Sequence, residues 1–414
     1  MHIPKVFFYI PAVFTAVVVI FLPYIQKPDI DFAFAFKKSI EEKATDACPD
    51  EFHYSYFSTK DFFDKAYNSM LKIEIPKKPI KGILVNHHLL ASHLIATTME
   101  TVATTKPVTV VLISPNHFSS GNNQIISTSN KWDTPYGVLE SDCHSIEKLA
   151  VQGLFTIDTF PFKNEHGISG IVPFIKKSIP NAKIIPIIVK DTLSEKDVIA
   201  FIESLHNTLG DDIIVIGSFD FSHYLPDTVA EFHDAQSISV IKNFDYSGLK
   251  KMEIDSIPGI EILMRYMQMT QANHFMLTAN TNSAKVLEDF SIEETTSYIT
   301  GTFSKGEMAN ESSATIISFG DMMFDRFVRK KINENTLHYP FDPLLRFLKG
   351  GDIVVANLEG SFTNFPSTTI NNYKGALSFT FDPRIAPELK KIGFTLFSKA
   401  NNHTLNFGRE GLRQ

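Results

Sequence analysis

Three runs of apolar residues in this chain each end in or beside a histidine. They are GILVNHH (82–88), VTVVLISPNH (108–117) and DIIVIGSFDFSHY (212–224). Short runs rich in valine, isoleucine and leucine, bounded by turn residues, are typical of strands that are covered on both faces, as in a parallel sheet. We therefore predict an α/β domain in which these runs are buried strands, with a further strand at 183–189.

The histidines at the ends of these strands are the most informative residues for function. Ligands collect at the carboxyl ends of parallel strands, and neutral imidazole is the commonest metal ligand in proteins. A single strand-end histidine is more often a hydrogen-bonded core residue, but His87, His117 and His223 all share this position. We expect them to bind iron, zinc or copper and to leave coordination positions open.

A glutamate–histidine pair in NEHGISGIVPFI (164–175) adds acid–base chemistry. Glu165 and His166 stand just before an apolar segment, where they could orient a ligand or transfer a proton. An ordinary helix N-terminus explains the same pattern equally well. In an enzymatic interpretation, the candidate catalytic residues are Glu165, His166 and His223.

The N-terminal segment departs from this globular pattern. Residues 6–25 (VFFYIPAVFTAVVVIFLPYI) carry no charge and are long enough to cross a bilayer as a helix. A cleaved signal peptide is the alternative, but the residues from Pro23 to Lys27 make a poor cleavage site. We therefore predict a single-pass N-terminal transmembrane helix, the membrane as a partner, and an extracytoplasmic location for the body of the protein.

Two α/β domains are predicted after this anchor. Amphipathic periodicity predicts helices at 195–209 and 257–270 in the first of them. A short polar bridge, SKGEMANESS, precedes ATIISFGD, where the strand pattern restarts. The predicted division is an anchor at 1–25, a linker at 26–78, a first domain at 79–304, a second linker at 305–313 and a partial second domain at 314–414.

Strand-end polar residues recur in the second domain with different chemistry. Asp321 follows the strand of ATIISFGDMMFDR, Asn357 and Glu359 follow that of GDIVVANLEG, and Asn402 and His403 follow that of FTLFSKANNHTLNFG. Carboxylate, carboxamide and imidazole together suit manganese, magnesium, iron or zinc. Pairs of such metals can generate a nucleophilic hydroxide beside a phosphate. We predict a second metal pocket at these five residues.

Composition narrows the function classes only a little further. The chain has 414 residues, and its 43% of hydrophobic residues is ample for two domain cores. The 39 basic and 46 acidic residues give a net charge of −7, and no basic patch favours nucleic acid. The two cysteines are too few for a thiolate zinc cluster.

The first domain resembles a known family. The motifs SPNH, TPYGVLESD, NEHGISGIVPFI, SFDFSHY and TTSYITG, in this order, are similar to those of the Memo family, which includes the bacterial proteins called AmmeMemoRadiSam system protein B. The resemblance implies the fold of the class III extradiol ring-cleaving dioxygenases, which hold iron(II) at strand ends. It also implies that His87, His117 and His223 are the family's pocket histidines, so iron(II) is the favoured metal.

The chain departs from the family pattern in three places. NHHLL stands where the family has Pro-His-Ala-Gly-Tyr, so His88 competes with His87 for the same role. Ser169 replaces the last carboxylate of the family's Glu-His-Ser-x-Glu motif. No cysteine lies near the carboxyl end of the domain, where some members place a fourth pocket ligand, and no carboxylate evidently replaces it. These losses put dioxygenase chemistry in doubt but not a histidine metal site.

The second domain resembles the CapA, or poly-γ-glutamate capsule-synthesis, family. GDMMFDR, NLEG and ANNHTLNFG follow that family's order. The resemblance implies the start of a calcineurin-like metallophosphoesterase fold whose metal pocket contains the five second-domain residues named above. Asn406 stands where the family commonly has aspartate, and the sequence ends at Gln414, so we expect either a fragment or a degenerate fusion, and favour a fragment.

Three functional hypotheses follow. The first is a membrane-anchored Memo-like protein with a histidine-lined metal pocket and a redox or dioxygenase-like reaction on a small molecule. The second is a metal-dependent phosphoester or amide hydrolase that acts in bacterial cell-envelope polymer synthesis through the second domain. The third is a non-enzymatic surface protein that binds a ligand or serves as a scaffold.

Overall fold

The apolar runs of the first domain become the central strands of one large mixed sheet. The computed structural model describes residues 48–311, 314–370 and 377–414. The strands of the large sheet are β1 (Phe52–Tyr54), β2 (Ile80–Val85), β3 (Val108–Pro115), β4 (Ile125–Ser127), β5 (Lys131–Thr134), β6 (Gly137–Ser141), β7 (Thr156–Ile157), β8 (Ala182–Val189), β9 (Ile213–Ser218), β10 (Phe221–Leu225), β11 (His274–Asn282) and β12 (Thr295–Ser304). The main strand order is β1-β5-β6-β8-β3-β9-β2-β12-β10.

The centre of this sheet is parallel. β6, β8, β3, β9 and β2 pair in parallel, and β12 then closes against β2, β10 and β11 in antiparallel fashion. The predicted α/β class and the four predicted strands of the first domain are confirmed. Because β3, β9 and β2 are neighbours in the sheet, the residues that follow them meet at one edge.

Helices cover both faces of the sheet. They are α1 (Lys60–Asn68), α2 (Ser92–Glu100), α3 (Cys143–Val151), α4 (His166–Ser169), α5 (Val172–Ser178), α6 (Glu195–Leu209), α7 (Asp227–Asn243), α8 (Ile257–Met269) and α9 (Ser283–Leu287). Short 3-10 helices lie at Leu89–Ala91, Phe160–Lys163 and Leu249–Lys251. The predicted helices at 195–209 and 257–270 correspond to α6 and α8.

The two faces explain why the strands are apolar at every position. Along β3, Val111 and Ile113 belong to one buried cluster, which includes Phe201 of α6. The intervening Val110 and Leu112 belong to another buried cluster on the opposite face. Side chains alternate across a strand, so a strand buried on both sides needs apolar residues without alternation.

The second domain contains a smaller parallel sheet. Its strands are β13 (Ile316–Met322), β14 (Ile353–Leu358), β15 (Ser361–Phe362), β16 (Thr380–Phe381) and β17 (Leu396–Ser398), and its helices are α10 (Arg326–Glu334), α11 (Leu345–Lys349), α12 (Ile385–Lys391) and α13 (Gly408–Arg413), with a 3-10 helix at Tyr339–Leu344. β13, β14 and β17 form the parallel sheet, and β15 pairs with β16. This sheet has its own core, around Val354, Phe381 and Leu389.

The two domains contact each other through ion pairs. Both lie within the compact unit 49–414. Lys251 Nζ of the first domain lies 2.5 Å from Asp352 Oδ1 of the second. Lys349 and Arg346 of α11 reach Glu253, at 3.1 and 3.6 Å.

The predicted membrane anchor is corrected. No helix in the described part of the chain is long and apolar enough to cross a membrane. The longest described helix, α7, has 17 residues, whereas a bilayer requires about 20 apolar residues. The predicted span, 6–25, lies outside the described residues, so its only support was the length and lack of charge of the run. We withdraw the transmembrane helix from the fold class, the membrane as a partner, and the anchored, extracytoplasmic location.

Candidate metal centre

Two of the predicted strand-end histidines come together at the carboxyl edge of the large sheet. His87 follows β2 and His117 follows β3 by the same two residues. Their ring centroids lie 4.8 Å apart with the planes nearly perpendicular. The parallel arrangement of β2, β9 and β3 therefore delivers these two imidazoles to one place, as the pattern predicted.

His87 is held so that one ring nitrogen faces the pocket. The residue is only 3% exposed. Its Nδ1 lies 3.2 Å from the carbonyl oxygen of Ser218 and 3.3 Å from Ser218 Oγ. Since Ser218 Oγ itself donates to the Gly167 carbonyl, both atoms act as acceptors and we assign the proton to Nδ1. Burial holds the pKa of His87 well below its usual range, with the nearby His117 and His166 acting in the same direction, so Nε2 presents a free lone pair.

His117 is oriented by a buried glutamate. Glu165 is fully buried, and its Oε1 lies 2.6 Å from His117 Nδ1. Its Oε2 accepts from the backbone amide of His117 at 3.1 Å. A carboxylate on one ring nitrogen fixes the tautomer and directs the other nitrogen outward, an arrangement typical of metal-binding histidines.

The loop that carries Glu165 requires a glycine. Glu165 is the N-cap of α4, and its side chain accepts from the amide of Gly167. A Cβ at Gly167 would lie 2.0 Å from Ser114 Oγ. The EHG sequence therefore places the short helix against β3 closely enough for Glu165 to reach His117.

His166 is the third histidine of the group. Its ring centroid lies 4.0 Å from that of His117 and 5.2 Å from that of His87. One ligand atom from each of the three lies within 4.8 Å of the others, as a shared metal requires. Burial lowers the pKa of His166, helped by His117, which favours the neutral ring that ligation needs.

His223 occupies a different position. It lies in β10 between Ser222 and Tyr224, whose φ angles are +39° and +56°, at a register shift between β10 and β12. Burial lowers its pKa, and Asp220 opposes that shift. His223 is not part of either closely spaced donor group found among the described residues. Its role as a ligand stays a prediction.

Two buried aspartates complete the pocket floor. Asp220 follows β9, and its Oδ1 accepts from the amides of His87 and His88 at 3.1 and 3.4 Å. Asp255 lies just before α8, and its Oδ2 is 3.3 Å from His87 Nε2. His87, Asp220 and Asp255 form the second closely spaced donor group. Burial raises the pKa of both carboxyls, and the charge of Asp220 raises that of Asp255 further.

Sequence reasoning missed Asp255. It follows no apolar strand, so the strand-end pattern does not include it. A β-bridge between Phe221 and Ile254 and the bond from the Asp255 amide to the Asp220 carbonyl bring its segment alongside the end of β9. We call His87, His117, His166, Asp220 and Asp255 together the first-domain pocket.

A cavity opens beside the first-domain pocket. It has a volume of about 340 Å³ and is lined by His87, His88, His166 and Asp220 together with Tyr56, Phe57, Phe62, Leu89 and Leu90. Its walls are aromatic and aliphatic, whereas the pocket end is polar. A larger cavity of about 830 Å³ is lined by residues such as Asp245, Glu307 and Asp352 and by no histidine, so we place the site at the smaller one.

The five predicted second-domain residues also lie near one another. Asn357 Nδ2 donates to Asp321 Oδ1 and to Glu359 Oε2, at 2.7 Å each. His403 Nε2 lies 3.5 Å from Glu359 Oε1 and 2.9 Å from Asn402 Nδ2. We call Asp321, Asn357, Glu359, Asn402 and His403 the second-domain cluster. Asp321 and Asn357 are the second-last residues of β13 and β14, Glu359 follows β14, and Asn402 and His403 follow β17. Their role as metal ligands stays a prediction.

Comparison with known proteins agrees with the resemblances found in the sequence. A family model described as Memo-like protein matches residues 55–300, and one described as bacterial capsule synthesis protein PGA_cap matches residues 315–414. A MEMO1 family protein of Caldivirga maquilingensis is 34% identical over 148 residues, covering 34% of this chain and 52% of that protein.

Other archaeal relatives show similar coverage. A MEMO1 family protein of Methanothermobacter thermautotrophicus is 30% identical over 176 residues, covering 41% of this chain and 64% of that protein. The corresponding protein of Pyrobaculum aerophilum is 34% identical over 160 residues, covering 38% and 56%. The chain thus spans about half to two thirds of the length of these relatives. Since the Memo model covers more than half of the chain, the chain belongs to the Memo-like protein family and carries a PGA_cap domain after its Memo domain.

Proposed function

We propose that the first-domain pocket is a transition-metal site that acts on a small organic molecule. The observation that carries the proposal is the convergence of His87, His117 and His166 within ligand distance of one another. A fully buried carboxylate directs one of them, and the pKa values of two are lowered so that neutral rings face the site. An ordinary surface histidine has neither a buried carboxylate to orient its ring nor a pKa lowered by burial.

The donor set fits a metal of intermediate softness. Imidazole nitrogens with nearby carboxylate oxygens suit iron(II), zinc or copper(II), and an iron site with open positions is the arrangement used by non-haem oxygenases. Iron(II) is the metal we favour, and when bound it would supply redox chemistry or polarise a ligand.

The protein's own residues have distinct parts in this proposal. Glu165 orients His117 and prevents its ring from turning. His166 lines the cavity, where it would serve as a third ligand or, with the metal held by other residues, exchange a proton with a bound molecule. The apolar cavity walls would contact the hydrophobic part of that molecule. His223 enters the proposal as a neighbouring acid–base group whose lowered pKa keeps it neutral.

Metal content of the full chain tests this function. The protein is purified without oxygen, reconstituted with iron(II) and analysed for bound metal, beside His87→Ala and His117→Ala. His144→Ala is the control, because His144 lies exposed on α3. We expect near-stoichiometric metal in the parent and the control, and loss of it in both pocket variants. A parent without transition metal after reconstitution would overturn the proposal and favour a binding or scaffold function.

We propose, as a second candidate, a metal-dependent hydrolase function for the second-domain cluster. The observation that favours it is the approach of His403 to Glu359, whose other carboxylate oxygen binds Asn357. Carboxylate, carboxamide and imidazole suit manganese or magnesium in phosphoester hydrolysis. Cell-envelope polymer synthesis is the process in which we would place it.

Hydrolysis of bis-p-nitrophenyl phosphate with added manganese tests the second candidate. The full chain should hydrolyse the ester, His403→Ala should not, and His117→Ala should retain the parent rate because His117 lies in the other domain. Absence of manganese-dependent hydrolysis in the parent, or an unchanged rate in His403→Ala, would exclude this function for the cluster.

A further inference from the structure

Two buried carboxylates, those of Asp220 and Asp255, lie side by side on the floor of the first-domain pocket. The side chains of Asp220 and Asp255 are 4% and 9% exposed. Asp255 Oδ2 accepts from the backbone amide of Asp220 at 2.9 Å. Asp255 Oδ1 is buried and has no hydrogen-bond partner among the described residues. A buried carboxylate oxygen without a partner is costly, so this atom points to a missing group.

Neither aspartate pairs with a lysine or an arginine of the described chain. Within the described part of the chain, the ion-pair partners of Asp220 and Asp255 are His87 and His117 alone. Buried charges in proteins are normally paired with a cation or coordinate a metal. A cation bound at the pocket floor would supply the positive charge that the ionised forms of these two carboxyls require.

The orientation of the His87 ring shows where a cation would bind, namely beside its Nε2 atom. Its Nδ1 carries the proton toward Ser218, so the lone pair of Nε2 faces Asp220 Oδ2 at 3.4 Å and Asp255 Oδ2 at 3.3 Å. When both carboxyls are ionised, the lone pair and the two carboxylate oxygens repel one another. A cation bound by all of them, or by a subset, turns this repulsion into coordination.

We propose that Asp255 is a metal ligand of the first-domain pocket, forming a two-histidine, one-carboxylate set with His87 and His117. Asp255 Oδ2 lies 3.3 Å from His87 Nε2 and 4.0 Å from His117 Nε2. Ligand atoms that each lie about 2.1 Å from one metal are about 3.0–3.4 Å from one another, so the first separation fits already and the second requires a small movement. This inference rests on the proposed metal function and names the anionic ligand of that site.

Asp220 has a different task. Its Oδ1 is occupied by the backbone amides of His87 and His88, so it fastens the loop that presents His87. Asp255 accepts a single backbone amide, that of Asp220, through Oδ2, and its Oδ1 bonds to nothing among the described residues. Two histidines with one carboxylate are the ligand set of non-haem iron(II) oxygenases, which agrees with the metal favoured above.

The test compares metal affinity in Asp255→Asn and in the parent full chain. Asparagine keeps the shape of the side chain and removes its charge. Glu253→Gln is the matched control, since Glu253 lies two residues earlier in the same segment and pairs with Lys349 and Arg346 instead. Affinity for iron(II) is measured anaerobically by competition with a chelator. Changing a group that only supports a ligand typically lowers affinity about 10–100-fold, so loss of a direct ligand should exceed about 100-fold, with Glu253→Gln within about threefold of the parent.

Three outcomes separate this inference from the proposed function. A parent that binds no transition metal overturns the metal function itself. A parent that binds iron, with Asp255→Asn binding it equally well, leaves the metal function standing and overturns the role of Asp255. Should Asp255→Asn fail to fold, Asp255→Glu retains the carboxylate on a longer arm. Its cobalt(II) complex should then show an altered visible absorption spectrum, and a parent-like spectrum would overturn the assignment.

Discussion

The first-domain pocket and the second-domain cluster follow from the same sequence pattern but differ in how their polar atoms are satisfied. In the pocket, His87 and Asp220 are buried, and Asp255 retains a carboxylate oxygen without a partner among the described residues. In the cluster, Asp321 and Asn402 are exposed, and carboxamides connect the charged groups, as Asn357 does for Asp321 and Glu359.

This difference shows which strand-end patterns require a ligand. Exposed polar groups that bond to one another can remain as they are in water. Buried groups that lack partners lose the energy of hydration without replacement. The pocket is therefore the stronger of the two sites on physical grounds.

Removing a pocket histidine should give the largest difference between the two regions. His87→Ala should abolish stoichiometric iron binding, because it removes the nitrogen closest to both carboxylates. His403→Ala should leave iron binding in the first domain unchanged. Metal analysis after anaerobic reconstitution measures both. Equal loss in the two variants would show that the regions do not bind metal independently.

Glu165→Gln should have the next largest effect. Glu165 accepts hydrogen bonds from His117 Nδ1 and from the amides of His117 and Gly167. A glutamine has one acceptor oxygen, so its NH₂ group must face a donor. We expect iron affinity to fall about 10–100-fold, as for other residues that orient a metal ligand.

The same substitution in the cluster is the control for Glu165. Glu359 also lies beside a histidine, with 3.5 Å between Glu359 Oε1 and His403 Nε2. Glu359→Gln should leave the iron affinity of the first domain within about twofold of that of the parent, because Glu359 lies beside a histidine of the cluster and not one of the pocket. Parent-like affinity in Glu165→Gln would show that His117 needs no orienting partner.

The sequence predicted those parts of the molecule that repeat a local pattern. The continuous apolar runs predicted the central parallel strands because burial on both faces leaves no polar position in them. The same runs predicted where His87 and His117 lie, since both follow adjacent strands. Asp255 could not be predicted this way, because its segment reaches the pocket through a single β-bridge and backbone bonds to distant residues.

His166 and the amino-terminal run show two other limits. The sequence predicts a ligand-orienting or proton-transfer role for His166, which stays a prediction. Its approach to His117 depends on the close contact of Gly167 with Ser114, which spacing does not reveal. The apolar run at 6–25 met the length and charge requirements for a membrane span, yet no helix of the described chain meets them. Since residues 6–25 lie outside the described residues, the length and lack of charge of the run were the only grounds for the anchor.

Acid should destabilise the first domain through its buried histidines. Burial lowers the pKa of His53 to about 4, and its Nε2 lies 3.0 Å from Thr128 Oγ1. The unfolded chain takes up this proton near pH 6.5, before the folded chain does. Stability from this group is therefore complete above about pH 6.5 and is lost as the pH falls toward about 4.

Trp132 reports on this transition. It is the single tryptophan of the chain and its ring lies 4.8 Å from His53. Urea unfolding followed by its fluorescence should show lower stability at pH 5 than at pH 7.5 in the parent. This difference should be smaller in His53→Gln but unchanged in His338→Gln, since His338 is exposed in the second domain. An equal pH dependence in all three proteins would assign the acid sensitivity to other groups.

Arg346→Ala should give the smallest effect, and it tests whether the two regions are coupled. Arg346 of α11 donates to the carbonyls of His223 and Tyr224 and lies 3.6 Å from Glu253. Because its side chain is 45% exposed, its loss should lower stability by at most about 1 kcal/mol.

Arg346 reaches the pocket through the backbone carbonyls of His223 and Tyr224, which closely follow Asp220 in the chain. Arg346→Ala should therefore change the iron affinity of the first domain by about two- to fivefold, within the range of a modest coupling free energy. Lys330→Ala is the control, because Lys330 is 59% exposed and pairs only with Glu334 of its own helix among the described residues. Identical affinities in the two variants would mean that the second domain packs on the first without influencing its pocket. A larger loss in Arg346→Ala would mean that the backbone around His223 helps to shape the metal site, which the burial of the pocket alone does not require.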